Sequence, residues 1–269
     1  MASAPLIMGI LNVTPDSFHD GGRYAHLDAA VAQAGRMVDE GADWIDVGGE
    51  STRPGAAAVE ADEERARIVP VISALRGAFP RLSISVDTSK AAVARAALEA
   101  GARGVNDVTA LADPGMAPLA AAWGCELMLM HMLGSPRTMQ RDPYYEDVLT
   151  EVRDFLLARV ARAEAAGVTR AHIWVDPGIG FGKTLAHNLA LVRGLPVLAA
   201  TGLPVLLGPS RKSFIGQALD LPVTAERLEG SLAVAAVATW LGVAMLRVHD
   251  VQATRRAARM AWALRGEGA

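Results

Sequence analysis

Eight times along this chain, an apolar stretch ends abruptly in a polar cluster. Between successive clusters there is usually room for one helix and one further strand. If the strands form a ring with all their carboxyl ends on one side, every cluster meets at a single mouth. The clusters are Asn12, residues 49–53, 87–88 and 106–107, His131, and residues 176–178, 210–212 and 247–249. The sequence therefore predicts an α/β fold, a single (β/α)8 TIM barrel, with its active site at the C-terminal ends of the strands.

Length and composition agree with one such domain. The chain has 269 residues, of which 51% are hydrophobic, so we assign residues 1–269 to a single barrel. Its formal net charge of −3 argues against the basic face that a nucleic-acid partner would need. With only one cysteine, Cys125, the chain cannot form an internal disulfide.

No segment predicts membrane insertion or export. The longest apolar tract, residues 232–246, is shorter than the roughly 20 residues that span a bilayer. No basic region precedes the first apolar run, so a secretory signal is not expected either. We therefore expect a soluble, cytoplasmic protein.

The strands are predicted from short runs that are apolar on both faces, as in a parallel sheet covered by helices. Glycines are expected to end the helices between them, because a residue at the C′ position often takes a left-handed conformation. Asp113 followed by Pro114 predicts a helix N-cap with proline at N1. The predicted strands are 6–11, 43–47, 82–86, 104–105, 127–130, 172–175, 205–207 and 244–248. The helix-ending glycines are Gly41, Gly101, Gly124, Gly167, Gly202 and Gly242.

One group of strand-end residues suits a neutral heterocycle. Asp87, Asn106 and Asp176 follow the third, fourth and sixth predicted strands. A buried carboxylate needs a donor, and a ring with an amino group and a ring N–H supplies two. Alternatively, Asp176 ahead of Pro177 only shapes a turn. Three such residues at inward strand ends favour the ligand interpretation.

A second group suits an anion. Arg53, Arg247 and His249, with Lys212, offer hydrogen-bond donors to phosphate oxygens. Arg247 and His249 fall on one strand face because side chains alternate along a strand. Surface ion pairs are the alternative for each of these residues taken alone. Asn12, at the end of the first strand, is predicted as a Mg²⁺ ligand, since that ion prefers oxygen donors and substrate phosphate.

These motifs closely resemble the dihydropteroate synthase family, and the likeness covers nearly the whole chain. The motifs are NVTPDSF at 12–18, GESTRPG at 49–55, DT at 87–88, DPG at 176–178, SRKS at 210–213 and RVHD at 247–250. Members of that family join a dihydropterin methyl pyrophosphate to 4-aminobenzoate, release pyrophosphate with Mg²⁺, and are typically homodimeric (β/α)8 barrels. The resemblance implies the same fold, substrates, cofactor and homodimer here.

The resemblance also implies a role for each matching position. The pterin would be held by Asp87, Asn106, Asp176 and Lys212, with Met130 and Val248 among the substrate-binding positions. The pyrophosphate or neighbouring substrate atoms would be bound by Thr52, Arg53, Arg247 and His249, and Mg²⁺ by Asn12. The aminobenzoate pocket would contain Phe18, Pro54, Phe181 and Ser213. The residues expected to be catalytic are Asp87, Lys212, Arg247 and His249, acting on a dissociative path.

Two other functions compete with the synthase. A folate-to-corrinoid methyltransferase would share the pterin pocket without a pyrophosphate clamp, so Arg53, Arg247 and His249 together favour the synthase. A silent pterin-binding paralogue would be expected to have lost some of these groups. The chain departs from the family pattern at His19, Ile179 and Pro209, none of which removes a predicted substrate contact; each would alter affinity or the response to sulfonamides.

Overall fold

Eight parallel strands form the centre of the molecule in the computed structural model, which describes residues 4–14, 23–51, 56 and 58–266. Neighbouring strands pair in the order β6-β5-β4-β3-β2-β1-β8-β7, and a parallel bridge between Val175 and Val205 joins the two ends of that order. The strands are β1 (Leu6–Asn12), β2 (Trp44–Gly48), β3 (Ser83–Asp87), β4 (Gly104–Asp107), β5 (Glu126–Met130), β6 (Ile173–Asp176), β7 (Leu206–Leu207) and β8 (Met245–Val248). The predicted barrel is confirmed, and each predicted strand lies within two residues of an observed one.

Helices alternate with these strands. They are α1 (Arg23–Asp39), α2 (Ala61–Ala78), α3 (Ala91–Glu99), α4 (Met116–Trp123), α5 (Val148–Ala165), α6 (Leu185–Arg193), α7 (Leu195–Ala199), α8 (Ser213–Leu219), α9 (Leu228–Trp240) and α10 (Val251–Leu264). Two short 3-10 helices, Arg170–His172 and Thr224–Arg227, precede β6 and α9. Among the helices that the structure describes, none is both long enough and apolar enough to cross a membrane.

The strands are buried on both faces because two apolar layers enclose them. Between barrel and helices lies the larger layer, which includes Ile7, Val47 and Leu246. Inside the barrel, a small cluster contains Met8, Trp44, Met128, Leu206 and Met245. Successive side chains of a strand point to opposite faces, so a residue two positions further along shares the interior. The apolar cluster therefore fills the lower barrel, and the residues beyond it line a cavity at the carboxyl ends.

The predicted helix stops are confirmed, and one predicted cap is wrong. All six glycines expected to end helices have positive φ, between 59° and 108°. Asp113 does not cap its own helix, because α4 begins only at Met116 with Gly115 as its N-cap. Its carboxylate instead accepts from the Gly115 and Ala91 N–H groups, each at 2.8 Å. One oxygen thus serves the N–H at the start of α3 and the other serves the turn that leads into α4, and Asp113 itself lies two residues ahead of the observed N-cap.

Candidate active site

A polar cavity opens at the carboxyl ends of the strands, and most of the predicted pterin residues line it. Strand ends from β3 to β8 and the loops that follow them contribute its walls. The lining residues are Asp87, Asn106, Val108, Met130, Asp176, Gly178, Ile179, Phe181, Gly208, Lys212 and Arg247. Side chains that are far apart in sequence therefore meet at one mouth, as the spacing of the polar clusters predicts.

Asp87 has one carboxylate oxygen committed and one unpaired. Its Oδ2 accepts from Arg247 Nη2 at 2.7 Å, whereas the buried Oδ1 has no hydrogen-bond partner among the described residues. Burial raises the pKa of Asp87 to about 7, against the lowering effect of Arg247 and with a further increase from Asp46. A buried acceptor without a partner is costly, so a ligand donor at this position would be stabilising.

Asp46, a buried acid beneath the cavity, was not among the site residues predicted from the sequence. It lies on β2 with no exposed surface and accepts three side-chain hydrogen bonds. These come from Ser85 Oγ at 2.6 Å, Asn106 Nδ2 at 3.0 Å and Arg247 Nε at 2.6 Å. One signal could have revealed it: an acid in the middle of a strand that is otherwise apolar and buried on both faces. Such a residue needs donors inside the fold.

Asp176 lines the cavity and also shapes the turn after β6. Its Oδ1 accepts from the Gly178 N–H at 2.7 Å, and burial raises its pKa. Gly178 has φ of 65°, and a Cβ there would lie 1.9 Å from the His131 carbonyl oxygen. The turn alternative and the ligand interpretation from the sequence are therefore compatible, because one carboxylate can serve both.

Lys212 lines the same cavity. Its Nζ is 4.0 Å from the centre of the Phe181 ring, a distance at which a cation interacts with an aromatic face. Burial lowers the pKa of Lys212 to about 8, although Asp176 acts in the other direction. The preceding residue, Arg211, pairs through Nε and Nη2 with both oxygens of Asp250, at 2.9 and 2.7 Å. This bidentate pair fixes the loop that carries Lys212 to the start of α10.

Behind the cavity, His131 is a packed residue. Its ring meets Phe155 edge-on at 4.8 Å, and its Nδ1 lies 3.0 Å from Lys183 Nζ. Burial, with Lys183 nearby, lowers the pKa of His131 to about 3, so the ring is neutral and its Nδ1 can accept from Lys183 Nζ. Lys183 also donates to the Phe181 carbonyl at 2.9 Å and thereby supports the loop that carries that ring.

The remaining predicted residues lie around this cavity or away from it. Asn12 ends β1 beside Gly48; a Cβ at Gly48 would be 3.6 Å from Asn12 Oδ1 and 3.6 Å from Asp87 Cβ. His249 is exposed at the end of β8, where its ring and N–H bond to Ser210 Oγ. The side chain of Val248 packs in the outer apolar layer, away from the barrel interior.

Ser213 is the exposed first residue of α8 and follows Lys212 directly. Of the family departures, Ile179 is buried and lines the cavity. Several predicted positions lie outside the residues that the structure describes: Phe18, His19, Thr52, Arg53 and Pro54. Within the described ranges, no three His, Cys, Asp or Glu side chains form a metal-binding cluster.

Comparison with known proteins agrees with this geometry. Residues 8–249 match the family of pterin binding enzymes. The dihydropteroate synthase of Escherichia coli K12 is 48% identical over 258 residues, which cover 96% of this chain and 91% of that protein. The dihydropteroate synthase of Yersinia pestis, solved with a sulfonamide drug complex, superposes with a TM-score of 0.92 at 48% identity, covering 98% of this chain and 95% of that one.

The enzyme from Xanthomonas albilineans gives the same result in two ligand states. Solved with 4-aminobenzoic acid, that dihydropteroate synthase has a TM-score of 0.91 and 46% identity, covering 97% of this chain and 93% of its own. Solved in complex with 7,8-dihydropteroate, it has a TM-score of 0.88 and 43% identity over the same shares of the two chains. Similarity of this extent covers both the barrel and its cavity.

Proposed function

Because the chain belongs to the dihydropteroate synthase family of pterin-binding transferases, we propose that it makes 7,8-dihydropteroate from 6-hydroxymethyl-7,8-dihydropterin pyrophosphate and 4-aminobenzoate. One observation carries the proposal. The cavity presents the unpaired buried Oδ1 of Asp87, together with Asn106 and Asp176, to whatever enters it. Acceptors buried in this way require a ligand with several N–H donors. The amino group and ring N–H groups of a pterin meet that requirement.

Lys212 supplies the complementary donor. Its ammonium lies over the Phe181 ring at the cavity wall, where it can donate to a ring nitrogen or carbonyl oxygen of the pterin. Flat rings also favour the apolar part of the lining, to which Met130 and Ile179 contribute. Polar edges and apolar faces of one heterocycle are thus matched by different walls of the same cavity.

The leaving group requires cations at the mouth. Arg247 lines the cavity, and His249 follows it at the end of β8. Donors placed where negative charge grows lower the barrier to bond breaking. We assign the developing charge on departing pyrophosphate to Arg247 and His249, with Arg53 as predicted from the sequence.

Asn12 fits the predicted Mg²⁺ on chemical grounds. Its side-chain oxygen lies beside Gly48 at the mouth, near Asp87, and Mg²⁺ in such sites takes few protein ligands alongside water and substrate phosphate. When bound there, the ion would neutralise charge on the pyrophosphate. Asn12 would then hold the phosphate end of the substrate over the acceptors that hold its ring.

A dissociative substitution accounts for the placement of Asp87. The bond from the pterin methylene carbon to oxygen breaks, and its electron pair leaves with pyrophosphate. Ionised Asp87, beneath the pterin, offsets the positive charge left on the carbon and ring. The aminobenzoate nitrogen then forms the new bond and loses a proton. Phe181 and Ser213, adjacent to the cavity, with Phe18 and Pro54 from the sequence prediction, would hold the aminobenzoate.

A product assay tests the proposal directly. Purified protein is supplied with the two substrates and Mg²⁺, and pyrophosphate and dihydropteroate are measured in parallel. Equal amounts of both products are expected. Methyl transfer from a methylated folate to a corrinoid, without pyrophosphate, would establish the methyltransferase instead. Pterin binding with no turnover would establish a silent paralogue. Omitting Mg²⁺ and adding a chelator should abolish pyrophosphate release if the metal role is correct.

The anion role of Arg247 needs a separate test, since this residue also pairs with two buried carboxylates. Arg247→Lys keeps a positive charge but loses the planar fork. The variant should bind the pyrophosphate-bearing pterin about tenfold more weakly, relative to its binding of bare 6-hydroxymethylpterin. Isothermal titration with both ligands measures the ratio. If the variant loses the same affinity for both ligands, Arg247 does not bind the anion.

The homodimer is also a proposal, and apolar side chains on the last two long helices support it. The exposed fractions of Val237 and Trp240 on α9 are 48% and 52%, and those of Met260 and Leu264 on α10 are 58% and 66%. Exposed apolar surface of this kind commonly marks a protein interface. Sedimentation velocity should give twice the monomer mass, and Trp240→Lys should reduce it. The cytoplasmic location stays a prediction from the sequence.

A further inference from the structure

We infer that Asp46 is a positioning residue of this site: its buried carboxylate fixes the Asn106 amide with the oxygen towards the cavity and holds Arg247 against Asp87. The inference rests on the proposed pterin site and adds a residue that does not line the cavity. Asp46 lies on β2, has no exposed surface, and contacts the site from beneath.

The direction of the Asn106 amide follows from hydrogen-bond chemistry. Asp46 Oδ2 lies 3.0 Å from Asn106 Nδ2. An ionised carboxylate only accepts hydrogen bonds, so the opposite amide orientation would set two acceptors against each other. The amino group of Asn106 is therefore committed to Asp46. Its Oδ1 is left for the cavity, where Asn106 acts as an acceptor.

Arg247 is fixed by the same oxygen. Its Nε donates to Asp46 Oδ2 at 2.6 Å, and its Nη2 donates to Asp87 Oδ2 at 2.7 Å. Two bonds from different nitrogens define the plane of the guanidinium. Because Arg247 occupies Oδ2 of Asp87, the Oδ1 of that carboxylate is the oxygen left unpaired. Through Arg247, Asp46 thus determines which oxygen of Asp87 meets a ligand.

Asp46 therefore contributes to ligand selectivity although it does not contact the ligand. With Asp46 in place, Asp87 and Asn106 both present acceptors, so the site requires a ring edge that carries N–H donors. Without the carboxylate, the Asn106 amide could turn and offer its NH2 group. The site would then tolerate a ring with a carbonyl oxygen where the pterin has its amino group.

Two substitutions of similar size separate this role from packing. Asp46→Leu cannot accept any of the three hydrogen bonds. Asp46→Asn can place its amide oxygen where Oδ2 lies and donate its NH2 to the Ser85 hydroxyl, which rotates to accept. Asp107→Asn is the matched control, because Asp107 is an equally buried carboxylate whose bonds go to Thr109 and Leu111 rather than to the site.

The experiment measures the binding of 6-hydroxymethylpterin and of its 2-oxo analogue to each folded variant by calorimetry. Asp46→Leu should weaken pterin binding by about ten- to one-hundred-fold and reduce the preference for the amino ring over the oxo ring by about tenfold. Asp46→Asn should recover both to within about threefold of wild type. Asp107→Asn, which acts on the site only through its charge near Asp87, should leave the preference between the two rings unchanged. Purely structural damage would lower the melting temperature without changing the preference between rings.

The outcomes distinguish this inference from the proposed function. If wild-type protein binds no pterin, the proposed site itself fails. If wild type binds the pterin and Asp46→Leu keeps both its affinity and its ring preference, Asp46 is not a positioning residue. If Asp46→Leu does not fold, the inference is tested in wild-type protein by NMR, which measures the solvent exchange of the Asn106 side-chain amide protons. Amide protons protected from solvent exchange before ligand binding are expected, and freely exchanging ones would overturn the inference.

Discussion

Pterin binding should be strongest in a narrow window of pH, because two groups in the cavity have displaced pKa values. Burial raises the pKa of Asp87 to about 7, and burial lowers the pKa of Lys212 to about 8. Asp87 must be ionised to accept from the ring, so binding weakens as the pH falls below about 7. Lys212 must be protonated to donate, so binding weakens as the pH rises above about 8.

The expected size of this pH effect on affinity follows from the fraction of Asp87 that is ionised and the fraction of Lys212 that is protonated. One pH unit below its pKa, only about a tenth of Asp87 is ionised, so the affinity should fall roughly tenfold for each further unit. The same slope with the opposite sign applies to Lys212 on the alkaline side. The charged neighbours that set the Asp87 value are Arg247, which lowers it, and Asp46, Glu64 and Asp107, which raise it.

Calorimetric titration of 6-hydroxymethylpterin between about pH 5 and pH 10 measures this profile. Asp87→Asn should remove the acidic limb and Lys212→Met the alkaline limb, each with weaker binding at the optimum. Ionisation of the ligand itself affects all three proteins equally and cancels in the comparison. A flat profile for wild type, or an acidic limb that persists in Asp87→Asn, would refute the assignment of these groups.

Three further predictions concern stability, and denaturation with urea measures each. Gly178→Ala should cost more than about 4 kcal/mol, since its Cβ would lie 1.9 Å from a carbonyl oxygen. Gly124→Ala, with similar φ and no atom within 4 Å of the new Cβ, should cost only about 1 kcal/mol; equal losses would contradict the steric argument. Lys90→Met should cost about 3–5 kcal/mol, because Glu64 has no exposed surface and would lose its cation; a loss near zero would contradict this. Burial lowers the pKa of Lys183 to about 7, so between about pH 10 and pH 7 the unfolded chain binds a proton that the folded protein does not. The free energy of unfolding should therefore fall by about 1.4 kcal/mol for each pH unit as the pH drops through this range. Lys183→Met should lack that part of the slope.

Much of the fold could be predicted because the signals are local. Short strands that are apolar on both faces, followed by polar residues, identified all eight strands to within two residues. Glycines at helix ends were equally informative, since the left-handed conformation there is set by the backbone of the residue itself. The cap assigned to Asp113 was wrong for the complementary reason. Its carboxylate could reach a second helix end, at Ala91, that no local pattern reveals.

The residues of the site likewise divide into those that the sequence predicts and those whose role depends on distant partners. Asp87, Asn106, Asp176, Lys212 and Arg247 could be selected from the sequence, because a parallel barrel gathers the ends of all its strands on one side. The sequence marks Asp46 as an acid within an apolar strand, but its role could not be assigned, since that role depends on partners from other strands.

What the sequence determined by itself was the order of the elements and the set of polar groups delivered to the mouth, because chain periodicity and connectivity are properties of neighbouring residues. The tertiary structure alone decided how those groups pair. Arg247 meets Asp46 across 201 positions of sequence, in a contact that exists only once β8 and β2 lie on either side of β1. That closure selects which oxygen of Asp87 stays unpaired and which way the Asn106 amide faces. It also sets the pKa values of Asp87 and Lys212, because burial and the distances between charges arise only in the closed barrel.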